Sequence, residues 1–101
     1  MESGKRNAQS VHARRRLAQR YGRYMSRSRY EGLVRRVLAG DCVFLERQTH
    51  RTSLAAVREG GEWLPLVWDR QRRAVVTFLP AAALDRHRER LERPRAGKAV
   101  E

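Results

Sequence analysis

The hydrophobic period of this chain changes once, at Cys42, and that change decides what class of fold it can form. Before it, apolar residues recur at helical spacing. Tyr30, Leu33, Val34, Val37 and Leu38 fall at i, i+3, i+4, i+7 and i+8, the stripe of a helix with one buried face. Ser28 and Glu31 have capping-box spacing, and Gly40 follows the last periodic residue, so both helix ends are marked. After Cys42 the period is two. Four short runs, 42–48, 52–59, 62–69 and 74–79, are joined by short polar links, one of them the pair Gly60-Gly61. Two glycines between alternating runs signal a two-residue hairpin, and links this short permit only an antiparallel meander. Pro65 lacks a ladder donor, which predicts an edge strand or a bulge for the third run.

The flanks complete the architecture. Ala13, Leu17 and Tyr21 recur every four residues, so a helix is expected from a Ser10 cap to Tyr21, stopped by Gly22. Residues 1–9 read as a flexible basic arm. Pro80 ends the sheet, 81–93 reads as a helix anchored by Leu84 and Leu91, and 94–101 as a frayed tail. The expected fold is therefore α+β: two N-terminal helices packed on a four-stranded antiparallel meander, plus a C-terminal helix, in one domain over 10–93. With the helices on one face, the other face of the sheet is expected to be free for binding.

Charge is placed unevenly along this frame. The net charge is +12, with 23 Lys and Arg against 11 Asp and Glu, and only Lys5 and Lys98 are lysines. Residues 1–29 carry nine of the cations and a single acid, Glu2, for a net of +8; the remaining residues net +4. Evenly spread charge serves solubility, whereas concentrated charge marks a contact surface. Guanidinium groups grip phosphate with paired hydrogen bonds and stack on bases, so the arginine bias suits nucleic acid.

Several classes are excluded on the same page. A single cysteine, Cys42, forbids an internal disulfide and argues against a cysteine-based zinc site, and no metal or cofactor is expected. No apolar run spans a bilayer and the first ten residues have no secretory h-region, so no membrane is expected and the setting is the cytoplasm. No Gly-rich phosphate loop or nucleophile elbow is present.

The candidate functional residues follow from the charge. His12, Arg16 and Arg20 form a second stripe on the first helix beside the apolar one, and Arg15, Arg23 and Arg27 widen it. Histidine titrates near neutrality and suits proton transfer; a solvated histidine near a helix start is the plainer reading of His12. His50 lies in a turn between strands. Ser53 and Thr77 place hydroxyls in otherwise apolar runs, where threonine is also an ordinary strand residue. Trp63, beside the glycine pair, and Tyr24, among arginines, are candidates to stack on bases.

The segment Val11-His12-Ala13-Arg14-Arg15-Arg16 with Arg20 and Gly22 carries a resemblance to a known superfamily. Val67-Trp68-Asp69, the basic turn after it, and Ala74-Val75-Val76-Thr77-Phe78-Leu79-Pro80 add to that resemblance. Together they resemble the small endoribonucleases that include barnase, EndoU, the tRNA-cutting colicin domains and the RelE-type toxins. The resemblance covers residues 10–80 and is topological. It implies His12 as acid or base, Arg16 or Arg20 on the phosphate, and Thr77, with Ser53, orienting the scissile group. The function expected on that basis is a metal-independent endoribonuclease acting on RNA, such as tRNA, or another polyanion, in a toxin or a phage or mobile element, with an acidic protein or an antitoxin as partner. Two alternatives stand beside it: a non-catalytic RNA- or DNA-binding module, and a small phage-type inhibitor binding an acidic protein.

Overall fold

The computed structural model describes the backbone of residues 2–92 and the side chains of residues 10–92. Its elements are α1 (Glu2–Tyr21), α2 (Arg27–Leu38), β1 (Val43–Arg47), β2 (Thr52–Glu59), β3 (Glu62–Asp69), β4 (Ala74–Phe78), a 3-10 helix (Ala81–His87) and α3 (Arg88–Glu92). The expected tail at 94–101 lies outside the described residues. The strands form one antiparallel sheet in the order β1-β2-β3-β4, the meander that the short links require.

Two helix starts differ from expectation. α1 begins at Glu2, so the segment expected as an arm continues the helix. It holds no proline and no β-branched residue to stop propagation. Ser10 is therefore interior and does not cap. It is buried, and its Oγ accepts from Arg14 Nε one turn on at 3.1 Å. α2 is capped by Ser26, whose side chain accepts from the Arg29 amide at 3.2 Å, and Ser28 falls inside the first turn. Glu31 turns instead to Arg27, at 3.2 Å. The other end is as expected: Gly40 takes the left-handed conformation at φ 84°. Its amide bonds Val37 O while the Asp41 amide bonds Arg36 O, the paired closure of a Schellman motif.

Gly60 and Gly61 both have positive φ, 59° and 86°, as the tight β2–β3 turn demands. Pro65 sits in a central strand, contrary to the edge expected of it. Its carbonyl accepts from Leu79 N at 3.0 Å, just past the end of β4. N–H and C=O of one strand residue point the same way, so the missing donor faces a point where the β4 ladder has already stopped. Two bulges break the pairing. Phe44 pairs with Ala55 and Glu46 with Leu54, leaving Leu45 extra. Val67 pairs with Thr77 and Trp68 with Val75, leaving Val76 extra.

The sheet is covered on both faces, which corrects the expectation of a free one. Ala13 and Leu17 of α1, with Tyr30, Leu33 and Val37 of α2, pack on Ala55, Val57, Leu64, Leu66, Trp68, Val75 and Phe78. On the opposite face Val43, Leu45, Leu54 and Ala56 pack against Leu84 and Leu91. Leu84 and Leu91 are thus the anchors that the sequence indicated, although the first of them sits in a 3-10 turn set by Pro80, whose carbonyl accepts from Ala83 N at 2.9 Å. Leu38, counted on the buried face of α2, is 46% exposed at the helix end. Two tyrosines lock the helical layer to β4. Tyr21 donates to Leu79 O at 2.7 Å, and Tyr30 both donates to Val75 O (2.9 Å) and accepts from Val75 N (3.2 Å). Burial pushes both phenols up.

Candidate nucleic-acid interface

Burying Ala13 and Leu17 turns the rest of α1 outward. His12, Arg15, Arg16 and Arg20 are all exposed. Arg16 Nη1 donates to Gln19 Oε1 at 3.3 Å, and none of these three arginines has an acidic partner among the described residues. Like charges one turn apart disfavour a helix by a few tenths of a kcal/mol each. The core contacts of Ala13 and Leu17 outweigh that, and the charges remain available. Arg14 is different: it turns inward, to Ser10 and to Met25 O at 3.4 Å.

Acids pair with seven of the other arginines among the described residues. Glu62 pairs with Arg23, Glu31 with Arg27, and Glu59 with both Arg29 and Arg36. Asp41 holds Arg36, Asp69 holds Arg51, Glu46 holds Arg86, and Asp85 lies near Arg88. Arg23 and Arg27, expected to widen the stripe, are therefore charge-compensated. The positive field of the N-terminal region is concentrated on the outer face of α1.

The remaining expected residues are scattered. Tyr24 is 80% exposed just after α1. His50 is exposed in the β1–β2 turn. Trp63 is half-buried against the second core cluster, with the Arg58 guanidinium 5.4 Å from its ring centre, so that ring is already occupied. Thr77 is half-buried and donates to Phe78 O at 3.4 Å. It pairs with Val67, which pairs with Leu54, and Leu54 belongs to the face under the 3-10 helix. The Val76 bulge is the cause, because it puts Thr77 and Val75 on opposite faces. His12 rides on the helix over the other face. The sheet stands between them, and the three groups expected on one phosphate do not share a site.

A second basic concentration was only partly visible in the sequence. In a meander the β1–β2 and β3–β4 turns lie at one end of the sheet. Here that end carries Arg47, His50, Arg70, Arg72 and Arg73, all exposed. One buried acid organises it. Asp69, 3% exposed, accepts from the amides of Gln71 (2.9 Å) and Arg72 (3.0 Å) and from Arg51 Nη2 (2.6 Å). Burial pushes its carboxyl up, but the Arg51 guanidinium and the two turn amides outweigh burial and hold it below the usual carboxylate value. The signal for this was Asp followed by two residues whose amides it can reach, the pattern of an Asx turn. Arg73 closes the turn at φ 55° and lines a groove of about 550 Å3 with Arg35 of α2.

Among the described residues no three His, Cys, Asp or Glu side chains gather in a way that could hold a metal ion, and no helix is long and apolar enough to cross a membrane. The fold and this surface define a class: a small α+β protein with an arginine-faced helix laid over a four-stranded meander. No protein-family model, curated protein or solved structure matches the chain.

Proposed function

We propose that the chain is a non-catalytic RNA-binding module that holds the phosphate backbone on the outer face of α1. The observation that carries this reading is the set Arg15, Arg16 and Arg20: exposed, on a helix fixed to the core, and with no acidic partner among the described residues. A planar guanidinium fork grips phosphate with paired hydrogen bonds and loses less freedom per bond formed than an ammonium group does. Cleavage is not part of the proposal, since His12 and Thr77 lie on opposite sides of the sheet.

Three phosphate contacts give a salt slope of about −2.7 on duplex RNA, taking 0.9 per contact. Fluorescence anisotropy with a labelled RNA hairpin, titrated between about 50 and 200 mM salt, reads this directly. Arg15→Gln, Arg16→Gln and Arg20→Gln are each expected to weaken binding and to flatten the slope by about 0.9. Binding that ignores salt, or a triple variant that binds like wild type, refutes the reading. RNA incubated with the protein in EDTA is expected to stay intact.

A further inference from the structure

The bulge at Leu45 exchanges which charged residue accompanies Phe44 on the sheet. Strict alternation would set Glu46 beside Phe44 and send Arg47 to the other face. With one extra residue, Leu45 packs in the second core cluster and Glu46 pairs with Leu54 of that face, while Phe44 and Arg47 share the face of Ser53 and Trp68; Leu45 and Glu46 also border the concavity there. Glu46 is then held by both its oxygens on Arg86 Nη2, at 3.0 and 2.8 Å, so its charge is offset. The helices leave this corner open: Phe44 is 44% exposed, and Ser53 is only half-buried. Arg70 reaches the same corner from the β3–β4 turn, its backbone amide fixed on Arg51 O at 2.9 Å. Neither Arg47 nor Arg70 has an acidic partner among the described residues.

We propose that this corner, a concavity of about 390 Å3, binds one unpaired nucleotide of the RNA, its base stacked on Phe44 and its phosphate held by Arg47 and Arg70. The proposal rests on the RNA-binding reading given above and adds a second subsite with a different chemistry. An aromatic ring on a sheet face accepts any base by stacking, and two guanidinium groups beside it supply the opposite charge for the attached phosphate. The Ser53 hydroxyl, without a hydrogen-bond partner among the described residues, also lines the concavity and can bond a base edge or a ribose hydroxyl. A duplex keeps its bases stacked inside and presents none to Phe44. The consequence is selectivity: α1 binds duplex and single strand alike, and this corner favours the single strand.

The test compares a labelled single-stranded RNA of about ten nucleotides with a blunt RNA duplex, by anisotropy, on the full chain. Phe44→Ala is expected to weaken single-strand binding about tenfold and leave duplex binding unchanged, while Phe44→Tyr restores it. Arg47→Gln is expected to flatten the single-strand salt slope by about 0.7. Far-UV circular dichroism of each variant confirms that an exposed substitution has left the fold intact. Duplex binding that persists while Phe44→Ala leaves single-strand binding untouched overturns this subsite alone. Absence of all RNA binding by wild type overturns the α1 reading and this subsite together. Sedimentation of a dimer that Phe44→Ala dissociates would make the corner a contact between copies of this chain and overturn the proposal.

Discussion

Replacing Asp69 by Asn tests the arrangement that sets the basic end of the sheet. The wild-type carboxylate is buried, takes two turn amides on Oδ1, and takes Arg51 Nη2 on Oδ2 at 2.6 Å. Asn keeps one carbonyl oxygen for the turn amides and sets an NH2 group against the guanidinium. The loss is then one charge-assisted hydrogen bond, about 1.5–3 kcal/mol. Arg51 retains contact with water and recovers part of this on release, which places the net cost at about 2 kcal/mol. For a domain of this size that is a fall in Tm of about 10 °C. The pH dependence is the sharper reading. The folded carboxyl titrates below its ordinary value of 3.8, so its contribution is complete above that value and is lost as pH falls through it toward the folded value. Thermal unfolding followed by circular dichroism should show a wide gap between wild type and Asp69→Asn at neutral pH. The gap should be narrower at a pH below 3.8, where the carboxylate's contribution is being lost. A gap of the same size at both pH values, or under about 0.5 kcal/mol at neutral pH, would refute the role assigned to the charge.

Further outcomes follow from other contacts. Tyr30→Phe strands both backbone groups of Val75 in the core and is expected to cost about 1–3 kcal/mol in guanidinium denaturation, with a lowered midpoint and an unchanged m-value. Ser26→Ala removes the α2 cap and should cost about 1 kcal/mol, whereas Ser28→Ala should stay within about 0.5 kcal/mol; the reverse order would move the cap back to Ser28. Gly61→Ala forces a side chain into φ 86° and should cost about 1 kcal/mol by the same measurement.

The strands were legible almost to the residue because a period of two and a Gly-Gly turn have few other readings. The apolar anchors Leu33, Val37, Leu84 and Leu91 were legible for the same reason: each is the buried member of a repeating pattern. Single-residue events were not. Ser26 and Ser28 are both competent caps, and the choice falls to Ser26 where Met25, buried in the first core cluster, fixes how the chain enters α2. The extra residues at Leu45 and Val76 carry no local signature, yet they decide which side chains share a face. Thr77 was expected beside the helix-borne groups, and one extra residue sends it to the far side. The same kind of event assembled Phe44 and Arg47, which alternation alone would have kept apart. Of the expected interface, Arg15, Arg16 and Arg20 could be read from helical spacing, while the compensation of Arg23 and Arg27 depends on acids elsewhere in the fold or one turn along.

The Tyr30 hydroxyl has a consequence for assembly as well as stability. β4 is an outer strand, and an outer strand is a template on which another chain can add. By taking both backbone groups of Val75, with Tyr21 taking Leu79 O just past the strand, the helical layer occupies part of that template. Among the described residues the other outer strand, β1, has one carbonyl taken by a side chain, Leu45 O by Arg90 Nη1 at 3.4 Å. Growth through a single edge stops when two copies have joined, because neither then offers a second edge to a third. A fibre needs two.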